Sequence, residues 1–184
     1  APVIPLRRII RQRRDRGLRA QWGIDDDGVV AIHVGRIAAE KNLPLAVRAF
    51  RELQKTRPKA KFVWAGDGPA RQQLQRDNPD FVFCGIQRGD DLARHFSSGD
   101  LFVFPSHSET FGNVTLEALA SGVPTAAFDY GAAHEYLRDG GRYRYRRHAS
   151  YRLQGNELEG VPHRAHWQSL DYNALHGGML RWFE

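Results

Sequence analysis

One cysteine, Cys84, one methionine and only four lysines among 27 basic residues are what this 184-residue chain has least of. A single thiol closes no internal disulfide, so the fold rests on its core and suits a reducing compartment. No apolar run approaches the roughly 20 residues that a membrane-spanning helix needs. The chain opens Ala1-Pro2-Val3-Ile4-Pro5 and passes into a basic run, without the continuous apolar segment of a secretory signal. His163, His166 and His176 lack partners at zinc spacing, so no metal site is expected. The length suffices for one sizeable core and is short for two.

The formal charge of +6 raises the question of nucleic acid, and the distribution answers it. Residues 1–20 hold seven Arg against one Asp, residues 21–140 hold 13 basic against 16 acidic, and residues 141–184 hold seven against four. The body is therefore slightly acidic and the basicity belongs to the two ends. Aromatics are not interleaved with it on a recognisable binding module, and a charge run is ordinarily a solvated face. No nucleic-acid partner is expected.

Three parts follow along the chain. In residues 1–28, Leu6, Ile9, Ile10, Leu18 and Trp22 recur at near-helical spacing among arginines, which predicts a helical lead-in broken at Gly17. Residues 29–140 alternate apolar runs near 29–34, 61–65, 81–84, 101–104 and 124–128 with stretches whose apolar residues lie three or four apart. Five strands separated by helices imply parallel pairing with right-handed crossovers, a doubly wound α/β sheet of Rossmann-like type. Ligands of such sheets bind at the carboxyl ends of the strands. Residues 141–184 contain one Val, no Ile and four of the eight His, and no sixth βα unit is readable. A divergent, loosely ordered tail is expected there, with Arg142–His148 as an exposed strand the other reading.

The chemistry begins where the strands end. After the first strand, Gly35-Arg36-Ile37-Ala38-Ala39-Glu40-Lys41-Asn42 sets a guanidinium and an ammonium five residues apart on one loop. Arg36 can bond phosphate oxygens as a planar fork, Lys41 can act as a compact charge, and Gly35 lets backbone approach closely. The plain alternative is two solvated cations, with Asn42 capping the next helix. After the fourth strand, Gly112-Asn113 stands where a helix should begin and Gly122 with Pro124 where it should stop. Free amides at Asn113, Val114 and Thr115 would offer an anion site at the helix amino end. Glu109 precedes that helix and Glu117 lies about a turn into it, where carboxylates can accept from sugar and ribose hydroxyls; Glu117 also reads as an ordinary exposed carboxylate. His33, inside the first strand, reads as a hydrogen-bonded core residue; His107, beside Glu109, could touch donor phosphate, though a loop histidine more often has no role.

Gly35-Arg36 with Lys41, Gly66-Asp67-Gly68 after a strand, and Glu109 and Glu117 with seven residues between them resemble the donor-binding domain of retaining GT-B glycosyltransferases, the glycosyl transferases group 1. The resemblance covers roughly Leu18–Gly140. It implies one half of a GT-B fold, the carboxy-terminal half, and a retaining hexosyltransferase using a nucleotide diphosphate sugar: a UDP-, GDP- or ADP-sugar, with GDP-mannose a mild preference. By resemblance, Arg36 and Lys41 would bind the diphosphate and act in catalysis with Glu109, which would hold donor-sugar hydroxyls. Gly35, Phe111, Gly112, Asn113 and Val114 would line the donor site, Glu117 would take the ribose, and Ile86 within Gly85-Ile86-Gln87 would meet the base. No metal or other cofactor is implied, since cations and helix amides stabilise the leaving diphosphate.

The resemblance also implies partners outside these residues: an amino-terminal acceptor domain, and an acceptor glycan or lipid at a membrane surface. The expected location is the cytoplasm, or the inner face of the membrane. Alone, the chain is expected to be inactive, and a non-catalytic nucleotide-binding fragment is the alternative. Past Asp139-Gly140 the match stops. With 23 Arg against four Lys, the composition fits either a GC-rich coding region read out of frame or a fragment with a foreign tail.

Overall fold

The computed structural model describes residues 14–25, 27–106, 113–127, 151–154 and 157–160, the last two segments as paired backbone. The elements in chain order are α1 (Arg16–Gln21), β1 (Val30–Val34), a 3-10 turn (Ala39–Lys41), α2 (Leu43–Thr56), β2 (Lys61–Ala65), α3 (Arg71–Asp77), β3 (Val82–Gly85), α4 (Gly89–Ser98), β4 (Leu101–Phe104), α5 (Asn113–Ala120), β5 (Thr125–Ala127), β6 (Tyr151–Gln154) and β7 (Glu157–Gly160). The sheet order is β3-β2-β1-β4-β5-β6-β7. Strands β1 to β5 pair in parallel, as expected from apolar runs bounded by glycine or proline. The direction of winding reverses between β1 and β4, and that junction is the topological switch point.

Alternation along the strands divides two cores. Ala31, Phe62, Trp64, Leu101 and Val103 face one way and pack with Leu45, Phe50 and Leu53 of α2 and Leu74 of α3. Val30, Ile32, Val34, Val63, Phe102 and Phe104 face the other way, against Leu18 and Trp22 of α1, Phe96 of α4 and Ala118 of α5. Both faces are covered by helices, which is the condition for a fully parallel sheet.

At the amino edge the lead-in is tied into the body by buried polar chemistry. Asp15 caps α1, its Oδ1 accepting from the Leu18 amide at 2.8 Å. Arg19 is fully buried and donates to the carbonyls of Ser98 (2.8 Å), Asp25 (3.0 Å) and Gly28 (2.6 Å) and to Asp100 Oδ2 (3.2 Å). Asp100 also accepts from the Val30 amide at 2.9 Å and pairs with Arg14, so one carboxylate links α1 to the starts of β1 and β4.

Gly17 lies in the first turn of α1, where no intrahelical N–H bond is yet required and glycine costs little; the lead-in before Arg14 lies outside the described residues. One expectation needs correction: 141–184 is not without strands. The β6–β7 hairpin adds to the sheet, β6 parallel to β5 (Ala126 opposite Tyr151) and β7 antiparallel to β6 (Leu153 opposite Leu158). Its signal is Gly155-Asn156, a two-residue link of hairpin type between segments too polar to read as buried strands. The Arg142–His148 alternative lies outside the described residues.

Candidate functional site

The carboxyl edge is built on glycines at the tips of β1, β2 and β3. The Gly35 amide donates to Ala65 O (3.0 Å) and the Gly66 amide to Gly85 O (2.7 Å), so the strand ends are stitched side by side. A Cβ on Gly66 would stand 1.9 Å from Gly35 O, and one on Gly68 would stand 2.4 Å from Ile37 O. Only glycine admits that approach. The Ile37 amide donates to Asp67 O (2.9 Å) and the Ala70 amide to Ile37 O (3.0 Å), which lays the loop after β1 on the loop after β2. Asp67 is closed locally: its Oδ1 accepts from the Gly68 amide (2.7 Å) and its Oδ2 from Arg71 (2.9 Å), and these bonds hold its carboxyl below the usual range.

On this platform the two cations of the loop after β1 occupy different settings. The Arg36 side chain is 66% exposed, with Glu40 Oε1 at 3.5 Å as a loose neighbour. Lys41 is half-buried at the end of the 3-10 turn, its Nζ 5.4 Å from the centroid of the Phe104 ring at the end of β4. Lys41 thus spans the switch point, from the end of β1 to the end of β4. Asn42 follows in the left-handed region (φ 52°), and no side-chain hydrogen bond from it caps α2. Phe104 beneath Lys41 is a part of the site that sequence reasoning missed; its aromatic type at a strand end was the available signal.

Asn113 and Val114 open α5, the helix after β4, and Glu117 is exposed one turn in. Ile86, just past the end of β3, is 62% exposed. The structure therefore sets Gly35, Arg36 and Lys41 after β1, Ile86 after β3, and Asn113 and Val114 after β4. Glu109, Phe111, Gly112 and His107 lie outside the described residues. Among the described residues no group of three His, Cys, Asp or Glu could hold a metal ion, and no helix is long and apolar enough to cross a membrane.

His33 is a fully buried core residue, as its strand position suggests. Its Nδ1 lies 3.0 Å from Val103 O; a carbonyl can only accept, so Nδ1 carries the proton. Nε2 is then a buried lone pair without a hydrogen-bond partner. Burial first, and the nearby Lys41 charge as well, push its pKa down to about 4 against the raising effect of the Val103 bond.

Comparison with known proteins identifies the fold's family. The family model described as glycosyl transferases group 1 matches residues 28–150, which is most of the chain and runs ten residues past Gly140, where the resemblance was expected to stop. The chain belongs to the glycosyl transferases group 1 family. It is 43% identical over 100 residues to the sulfoquinovosyl transferase SQD2 of Arabidopsis thaliana, covering 53% of this chain and 19% of that protein. It is 41% identical over 125 residues to a GDP-mannose-dependent alpha-mannosyltransferase of Mycolicibacterium smegmatis, covering 67% and 32%. The chain thus spans between a fifth and a third of the length of these relatives.

Among solved structures, the pneumococcal O-GlcNAc transferase GtfA in complex with UDP and GlcNAc superimposes with a TM-score of 0.54 at 28% identity, over 61% of this chain and 24% of that one. WaaG, a glycosyltransferase involved in lipopolysaccharide biosynthesis, superimposes with a TM-score of 0.67 at 16% identity, over 98% and 42%, a likeness of fold. The α/β Rossmann-like half of a GT-B glycosyltransferase is therefore the architecture of this group 1 chain. A second family model, described as 2OG-Fe dioxygenase, matches residues 126–184. The two matches overlap over residues 126–150.

Proposed function

We propose that this group 1 chain is the nucleotide-sugar-binding half of a retaining, metal-independent hexosyltransferase, completed by an acceptor domain. The observation that carries the reading is the half-buried Lys41 reaching across the β1–β4 switch point, with Arg36 on the same loop and the amino end of α5 on the other side. Arg36 and Lys41 neutralise the diphosphate, and amides at the start of α5 complete the anion site as the diphosphate leaves. Glu109 takes donor-sugar hydroxyls, Glu117 the ribose, and Ile86 the face of the base. The donor is a UDP-, GDP- or ADP-sugar, and the relatives' GDP-mannose and the UDP of structural neighbours define the first ligands to try. The reaction is placed in the cytoplasm or at the inner membrane face, on a glycan or lipid acceptor.

Isothermal titration of UDP and GDP into the parent, Lys41→Ala and Glu117→Gln tests it. Truncating the Lys41 partner of a charge-assisted pair at a partly desolvated site should cost about 2–5 kcal/mol. Losing charged-acceptor bonds to neutral hydroxyls at Glu117 should cost roughly 1.5–3 kcal/mol. If Lys41→Ala binds as tightly as the parent while Glu117→Gln does not, the diphosphate assignment is wrong. Glycosyl transfer on adding an acceptor domain in trans separates a transferase half from a binding fragment.

The similarity of residues 126–184 to a 2OG-Fe dioxygenase supports a second reading for that segment alone, as a piece of a different enzyme class joined to the donor domain.

A further inference from the structure

The β1–β2 ladder runs the full length of β1, through Val34 opposite Ala65. The β1–β4 ladder covers only two pairs, Ala31 opposite Leu101 and Ile32 opposite Phe102. The next pair in register, His33 and Val103, is joined differently: the His33 ring donates from Nδ1 to the Val103 carbonyl at 3.0 Å. Two residues beyond Val103 stands Pro105, which has no N–H to return a bond to β1. The strands on either side of the switch point are thus linked beyond Phe102 by an imidazole, and the loops that leave them carry Arg36 and Lys41 on one side and α5 on the other. Around the ring, Trp64 lies 4.6 Å away and Phe104, which underlies Lys41, lies 6.0 Å away, centroid to centroid.

We propose that His33 is a positioning residue of the donor site, a wedge between β1 and β4 whose hydrogen bond to Val103 sets the separation of the Arg36–Lys41 loop from the start of α5. The proposal rests on the donor-site reading above. Its physical content is that a crevice at a switch point binds a diphosphate only if the cations on one wall and the amides on the other are spaced for the same ligand. Misplacement by a fraction of an ångström weakens every bond to it at once. The ring acts from below: fully buried, it touches no ligand, and Phe104 carries its position up to Lys41.

The near-isosteric pair His33→Leu and His33→Asn tests this in the full chain, because asparagine keeps an N–H donor near the Nδ1 position and leucine does not. Melting temperature without ligand is read beside the dissociation constants for UDP and GDP. Leucine strands the buried Val103 carbonyl, which destabilises, and removes the unpartnered Nε2, which stabilises, so it should melt near the parent yet bind nucleotide diphosphate about tenfold more weakly. Asparagine should melt lower and bind within about threefold of the parent. Affinity and stability then move in opposite senses, which a merely structural role would not produce. Parent-like binding by His33→Leu, or affinities that simply follow the melting temperatures, would overturn the wedge while Lys41→Ala still reports the donor site. Absence of nucleotide binding by the parent overturns the donor reading itself, and the wedge with it.

Discussion

Arg19→Met is the substitution that most sharply tests how the lead-in is held. The Arg19 side chain is 1% exposed and its guanidinium serves four acceptors: three carbonyls, on Asp25, Gly28 and Ser98, and the Asp100 carboxylate. Methionine fills much of the volume and supplies none of the donors. Asp100, 11% exposed, keeps the Val30 amide and Arg14 but loses its buried cation. Three carbonyls lose their donor and Asp100 loses one of its two cations, a combined cost of about 3–5 kcal/mol. Against a total stability of about 5–15 kcal/mol, that loss removes a fifth or more of the fold's reserve. Urea unfolding followed by circular dichroism measures it. Adding Asp100→Asn completes a cycle in which the coupling should reach about 1–3 kcal/mol. If Arg19→Met unfolds within about 1 kcal/mol of the parent, α1 is an appendage and the lock is ornamental.

Gly66→Ala should destabilise by about 2–4 kcal/mol, because its Cβ would meet the backbone of Gly35 at a positive φ, whereas Gly35→Ala meets nothing within 4 Å and should cost less; thermal melts of the two decide it. Stability should also fall in two separate acid windows. His33 has a folded pKa near 4 against 6.5, so the unfolded chain binds the extra proton between those values and stability declines as pH drops through them, by at most about 1.4 kcal/mol per unit; His33→Leu should flatten that slope. Asp80, held near 2 chiefly by its hydrogen bond from Arg51, contributes stability that is present above 3.8 and lost toward 2; since its side chain is 42% exposed, under about 1 kcal/mol is expected, and Asp80→Asn should shrink that lower step, to which Asp15 and Asp67 also contribute, without touching the upper one.

The five parallel strands were legible because each is a short apolar run, four closed by Gly or Pro and the fifth by Asp129, a pattern that serves a sheet covered on both faces. The loop after β1 was legible for a related reason: Gly35 and the two cations beyond it have no use in a core. Arg19 was not, because an arginine reads as solvated unless its acceptors are known, and two of them, Ser98 and Asp100, come about 80 residues later. His33 could be placed in the core but not given a task, since Val103 lies 70 residues away and the gap in the β1–β4 ladder is a property of register. Polar strands at a sheet edge defeat a search for buried runs, which is why β6 and β7 were passed over. Within the candidate site, the roles of Glu109, Phe111 and Gly112 rest on resemblance, and those of Arg36 and Lys41 on resemblance together with their place at the strand ends.

The arrangement separates what holds the domain from what binds its ligand. The Arg19–Asp100 lock grips β1 at Val30, and Gly35, Arg36 and Lys41 follow Val34, so the two groups are divided by the length of the strand, about 13 Å at the usual rise per residue. Sites that far apart combine nearly additively. Arg19→Met should therefore lower the melting temperature while leaving the dissociation constant for UDP or GDP unchanged, provided binding is measured where the variant is fully folded. Lys41→Ala should do the reverse, and the double variant should show both effects within about 0.5 kcal/mol of their sum. A loss of affinity in Arg19→Met at full foldedness would mean that strain at the amino edge travels up β1 to the switch point. The wedge at His33 would then be one part of a longer coupling instead of a local device.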